Sequence, residues 1–245
     1  VECRRSNLTL DCYGACFKQE AEHAKTLLVS DCHSIRVIGA SLVGVGVEKP
    51  WSTDPTPYNG VAAVYVSNCA DVLLRDARIT NHAGGGIVLD GACDKVRILD
   101  STIVGMGAER IRKGESGCDA AIAGTANSIA KTGIVVRGND ISGHAFGLLL
   151  PGDMDAIIEG NHIHDIPGQH GIYLTRGGNL VVASNVIQRC ALIGAKVQQQ
   201  TAEHLDPVIT ITGNTVLDCG SIALGVLTTG AGVGFTQQNV SITGN

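Results

Sequence analysis

"IEGNHIHDIPGQHGIYLTRGGNLVVASNVI", residues 158–187, opens on IEGNHI and closes on VASNVI, two versions of one six-residue phrase. Each reads apolar, any, small or acidic, Asn or small, any, apolar. The phrase recurs as VIGASL (37–42), LRDARI (74–79), ILDSTI (98–103), VRGNDI (136–141), ITGNTV (211–216) and, cut short, ITGN (242–245), with LTLDCY (8–13) as a degraded first copy. Self-similarity at a regular step is the mark of a repeat architecture.

Alternation of apolar and polar residues on both sides of the small–Asn pair predicts two short strands joined by a tight turn. Two residues upstream of each copy stands an apolar partner: Ile35, Val72, Val96, Ile134, Ala156, Leu180, Ile209 and Val240. A third strand is expected ahead of the pair, at TLLV (26–29), VYV (64–66), GIVL (86–89), GLLL (147–150), GIYL (171–174), GAKV (194–197) and SIAL (221–224). Three strands per repeat, with no helical period, exclude a leucine-rich repeat and a four-stranded propeller blade. The expectation is an all-β parallel β-helix of about nine coils, three strands per coil.

Stacking can be tested within the sequence. A coil pitch of roughly 4.8 Å brings equivalent positions into contact, so they should carry like residues. Asn139, Asn161, Asn185, Asn214 and Asn245 fall on one line, as an asparagine ladder at a corner requires. Eight residues before their corners stand Cys32, Cys69 and Cys93, and five after stand Cys190 and Cys219. These columns read as small buried packing residues ahead of adjacent-rung disulfides.

Composition agrees. Glycine is frequent at 32 residues and aromatics make up only 3%, which suits a narrow interior of Ile, Val, Leu and Ala. A net charge of −5 offers no basic field, so nucleic acid is not an expected partner. No apolar run approaches the roughly 18 residues of a membrane span. The 245 residues are expected to form one β-helix domain, an excised part of a longer chain. Sequons at Asn7 and Asn239 point toward an extracellular or cell-surface protein.

The repeating GNxI…GIxL coil resembles the right-handed parallel β-helix of the pectin-lyase-like superfamily, from about residue 8 to residue 245. That resemblance implies an acidic polysaccharide as partner, and lyase, epimerase or hydrolase chemistry, alongside non-catalytic adhesins and spikes. The Asn-Thr-Asp and Asp-Asp signature of polygalacturonases and the Asp-Pro-His of alginate epimerases are absent; only QHG (169–171) is near a Gly-His-Gly.

Insertions break the repeat at about 44–60 and 105–120, and both would flank the same edge of the GIxL sheet. The first carries Trp51, the second Arg110, Arg112 and Lys113, all candidates for holding an acidic glycan. On GIYL the inward residues are Ile172 and Leu174, so Tyr173 points outward, with Lys196 of the next coil directly beside it. His170 and Arg176 bracket that strand. The four form the candidate catalytic group, because removing the C5 proton of a uronate needs a cation on the carboxylate, a base and an acid. Asp90 is a further substrate-binding candidate. Glycoside hydrolysis would need two carboxylates, and on the same edge Asp153 stands two coils or roughly 10 Å from Asp90, with apolar Leu149 and Pro151 between. No cofactor is expected beyond a weak calcium option near Asp153 and Asp155. His162 and His164 read as solvent-facing filler after the corner, and His144 as a corner residue in the column of His82.

Overall fold

The computed structural model describes residues 1–19, 25–45, 62–82, 84–106, 119–125, 131–152, 154–175, 178–199, 208–228 and 240–245. Among them the chain forms three parallel sheets of nine, nine and eight strands, each strand pairing with its equivalents one coil before and after. Sheet 1 contains the GIxL strands, from Glu2–Cys3 to Leu224–Thr228; sheet 2 runs from Leu8–Asp11 to Val240–Thr243; sheet 3 runs from Cys16–Lys18 to Thr215–Leu217. No helix is long and apolar enough to cross a membrane.

The upstream apolar residues of the sequence form one inward column of sheet 2. Ile35 pairs with Val72, Val72 with Val96, Ile134 with Ala156, and Leu180 with Ile209. All are 3% exposed or less. Each fully buried Ile, Val or Leu contributes about 1.5–3 kcal/mol, and the β-branched members suit a pleated strand.

The corner between sheets 2 and 3 follows from two adjacent positions. The first is left-handed in coil after coil: Gly39, Asp76, Asp100, Gly138, Gly160, Ser184, Gly213 and Gly244 all have φ between 50° and 71°. Gly, Asp and Ser stand there because bulkier side chains resist that conformation. The second position turns inward and, from Asn139 on, is asparagine. Asn161 Oδ1 accepts from Asn139 N at 3.0 Å and Asn139 Nδ2 at 2.9 Å. Asn185 does the same for Asn161, Asn214 for Asn185, and Asn245 for Asn214. The spare Nδ2 hydrogen donates to a backbone carbonyl of the preceding coil, as from Asn161 to Val136 at 3.0 Å. Buried corner amides are thereby satisfied without water.

Two strands differ from the sequence reading. Ala120–Gly124 is a full member of sheet 1, although its AAIAG sequence carries no β-branched run beyond Ile122. The last strand of sheet 1 is Leu224–Thr228 rather than SIAL, because Ala195 pairs with Leu224 and Val197 with Val226. Ile222 has the right parity but lies outside the strand and is 47% exposed. The cysteine column is present as drawn: Cys32 Sγ lies 3.5 Å from Cys69 Sγ, and the eight described cysteines are free thiols. Burial, with Cys69 alongside, pushes the Cys32 thiol up to about 12, so it packs as a neutral group.

Candidate functional site

Register places Leu28, Tyr65, Val88, Ala123, Leu149, Tyr173 and Lys196 on one outward line across sheet 1. An outward row on a solenoid is normally wet. Here Val88 is 1% exposed, Ala123 0%, Leu149 8% and Tyr65 9%. With Ala62 and Ala120 they make a second apolar cluster outside the main core. The line turns polar where it becomes half-buried, at Tyr173 and Lys196.

Gly171 and Gly194, ahead of the strands that carry Tyr173 and Lys196, let the coils approach. A Cβ on Gly171 would lie 2.6 Å from the Gly194 carbonyl oxygen and 2.6 Å from Ile187 Cγ2. This close seat fixes His170, the preceding residue, which is only 6% exposed. His170 Nδ1 accepts the Ile193 backbone N–H at 3.1 Å. That bond fixes the tautomer: a neutral ring carries its proton on Nε2 and offers it as a donor. Burial, helped by the Lys196 charge, lowers the His170 pKa to about 4, so the ring is neutral at pH 7. It meets Tyr173 edge-on at 5.1 Å, and Phe146 stacks on Tyr173 at 6.2 Å.

The Tyr173 hydroxyl donates to Gln198 Oε1 at 2.6 Å. Burial raises its pKa, so it remains a protonated phenol. Lys196 Nζ sits 4.5 Å from the Tyr173 ring centroid, a cation–π contact worth about 0.5–2 kcal/mol. Burial lowers the Lys196 pKa. The expected trio of His170, Tyr173 and Lys196 is therefore brought together. A neutral imidazole N–H, a phenol and an ammonium group suit an anionic ligand.

Asp90 lies three coils away, roughly 14 Å by strand spacing, and belongs to a different constellation. Its carboxylate accepts from Tyr65 Oη at 2.9 Å and Thr125 Oγ1 at 2.7 Å. Burial pushes the Asp90 pKa up. Hydrogen bonds from Thr125, Tyr65 and the Gly91 N–H, with Lys131 nearby, outweigh burial and hold it below the ordinary carboxylate value. Both oxygens are thus engaged by protein groups. Asp155, the described member of the calcium suggestion, accepts the Asn179 N–H at 2.8 Å from within the strand Met154–Glu159. Trp51, Arg110, Arg112, Lys113, Asp153 and Arg176 lie outside the described residues, as do most of the two insertions.

Two groupings were not anticipated. His144 Nδ1 lies 3.0 Å from Asp119 Oδ2, both side chains at most 1% exposed, with the His82 ring buried nearby. On sheet 3, Asp140, His162 and His164 present one ligand atom each within 4.8 Å of one another. The second was legible in principle: Asp140 and His162 each follow a ladder asparagine by one residue, and His164 follows by three.

Residues 62–245 match the family described as right handed beta helix region. No curated protein matches the sequence. Among solved structures the chain is similar to the periplasmic alginate epimerase AlgG, with TM-score 0.53 and 13% identity over 83% of this chain and 47% of that one. It thus spans about half of that protein's length. It is also similar to the alginate lyase from Paenibacillus sp. str. FPU-7, with TM-score 0.52 and 9% identity over 93% of this chain and 87% of the other. At these identities the likeness is one of fold.

Proposed function

Because the chain belongs to the right-handed β-helix family, we propose that sheet 1 is a track for an acidic polysaccharide, processed there by lyase- or epimerase-type chemistry at C5 of a uronate. The observation that carries this reading is the convergence of Lys196, Tyr173 and His170 beside the buried apolar line. Lys196 neutralises the uronate carboxylate, which acidifies the neighbouring C5 proton. The His170 Nε2–H is a second donor to that carboxylate. Tyr173, kept protonated by burial, is the acid for the leaving oxygen or for C5, and the C5 proton passes to a base outside this trio, because His170 Nδ1 already accepts the Ile193 N–H and its Nε2 carries a hydrogen. Arg176, Arg110, Arg112, Lys113 and Trp51 stay sequence-based candidates for holding the rest of the polymer. The two similar structures, an alginate epimerase and an alginate lyase, make a polyuronate the first substrate class to try. An extracellular or periplasmic setting suits that substrate.

One observation favours a second reading, glycan binding without turnover. His170 Nδ1, the ring atom able to take a proton, already accepts a backbone N–H. Incubation with polyuronates in heavy water, followed by NMR at C5 and by ultraviolet absorbance of unsaturated ends, separates the two. Exchange at C5 that disappears in Tyr173→Phe while binding persists supports processing. Binding with no exchange supports the second reading. Binding that is equal in Lys196→Met and the parent refutes both placements.

A further inference from the structure

We propose that Asp140, His162 and His164 on the outer face of sheet 3 form a binding site for a borderline divalent transition ion such as Zn²⁺. Parallel register sets the geometry. Asp140 pairs with His162 across adjacent coils, and His164 projects from the same face two residues on. His162 Nδ1 and His164 Nε2 each lie 3.1 Å from the same oxygen, Asp140 Oδ1. The edge of a tetrahedron around zinc, with ligands at 2.0–2.1 Å, is about 3.4 Å, so only small rotations separate this arrangement from coordination. The two imidazole rings stack 4.3 Å apart at an interplanar angle of 26°, each with a nitrogen facing Asp140 Oδ1. Side-chain exposures of 50%, 45% and 19% for Asp140, His162 and His164 leave the cluster open to an ion from solution.

The surroundings are built as an outer shell. His164 Nδ1 donates to Asp165 Oδ2 at 2.6 Å, which frees Nε2 to face the cluster. Asp165 is held by Arg189 through Nε at 2.6 Å and Nη2 at 2.8 Å. A carboxylate on the far nitrogen of a ligand histidine fixes its tautomer and strengthens it as a donor to metal. On the other side Gln188 Nε2 donates to His162 Nε2 at 2.9 Å. Two nitrogens and one carboxylate oxygen select against calcium and magnesium, which take oxygen ligands, and leave a fourth position to water. The ion takes the place of the His162 Nδ1 hydrogen now directed at Asp140, and that proton is released to solvent. The site lies on a different sheet from the Lys196 group and stands independently of the function proposed there.

The test is calorimetric titration of chelator-treated protein with ZnCl₂, paired with Cu²⁺ electron paramagnetic resonance. One saturable Zn²⁺ site and nitrogen coupling from two imidazoles are expected. In His162→Gln/His164→Gln the site is lost, while circular dichroism and metal-free melting match the parent. Asp165→Asn, which touches no metal ligand atom, is expected to weaken binding about 10–100-fold. Absence of saturable binding, or binding that survives the double variant, overturns the site. Unchanged affinity in Asp165→Asn overturns the role given to the outer carboxylate.

Discussion

Replacing Asn161 by alanine is the sharpest test of what holds the coils in register. Its side chain makes four hydrogen bonds: from Asn139 N at 3.0 Å, from Asn139 Nδ2 at 2.9 Å, to Val136 O at 3.0 Å and to Asn185 Oδ1 at 2.9 Å. Asn139 Nδ2 keeps its bonds to Ile98 O and Arg137 O, and Asn185 Oδ1 keeps the Asn161 N–H. The Asn139 N–H and the Val136 carbonyl each lose a buried partner. Two such losses at about 1–3 kcal/mol each give about 4 kcal/mol of lost stability. Asn161→Asp separates hydrogen bonding from volume. It keeps one oxygen but turns the Nδ2 donor into an acceptor facing Val136 O and Asn185 Oδ1, so at neutral pH it costs more than alanine. Protonation restores one donor, so its deficit shrinks in acid. Urea unfolding followed by circular dichroism reads both effects. A loss below about 1 kcal/mol for alanine, or parental stability for aspartate at pH 7, refutes the ladder argument.

Gly171→Ala forces a Cβ to within 2.6 Å of a backbone oxygen and is expected to cost about 1–3 kcal/mol through overpacking. Gly160→Ala meets no atom within 4 Å but has φ near 62°, so its cost of about 1–2 kcal/mol is conformational. Equal urea midpoints for Gly171→Ala and the parent would contradict the close approach of the coils. His82 and His170 both titrate near 4 in the fold against 6.5 unfolded, chiefly because of burial. Above pH 6.5 neither state binds the proton and nothing changes. Between 6.5 and 4 the unfolded chain takes up protons that the folded chain refuses, so stability falls by up to about 3 kcal/mol per histidine. Unfolding at pH 7 and pH 4.5 measures it. His82→Leu, which removes two nitrogens without a partner among the described residues, should flatten the slope; an unchanged slope rejects the assignment.

The corner grammar was legible because it repeats: a residue tolerant of positive φ, then a buried asparagine, coil after coil. The same alignment put Tyr173 against Lys196, since register fixes the outward row once the corner is fixed. Ala120–Gly124 escaped because alanine and glycine carry little strand signal and its pairing depends on neighbours. The tautomer of His170 escaped for another reason: it is set by the Ile193 N–H, one coil away and 23 residues on. Likewise the partner of His144 is Asp119, 25 residues earlier, and no local pattern joins them.

The asparagine line begins only at residue 139. Earlier coils place Ala40, Ala77 and Ser101 at the same corner, and of these Ser101 Oγ alone supplies a side-chain acceptor, to the Ala77 N–H at 3.1 Å. Backbone ladders join every coil, so the tube carries in its later half an additional side-chain stitch at this corner that the earlier half lacks. Stretched along its axis, it should peel first from the coils before Asn139, giving mechanical failure a fixed polarity along a rod of otherwise uniform architecture.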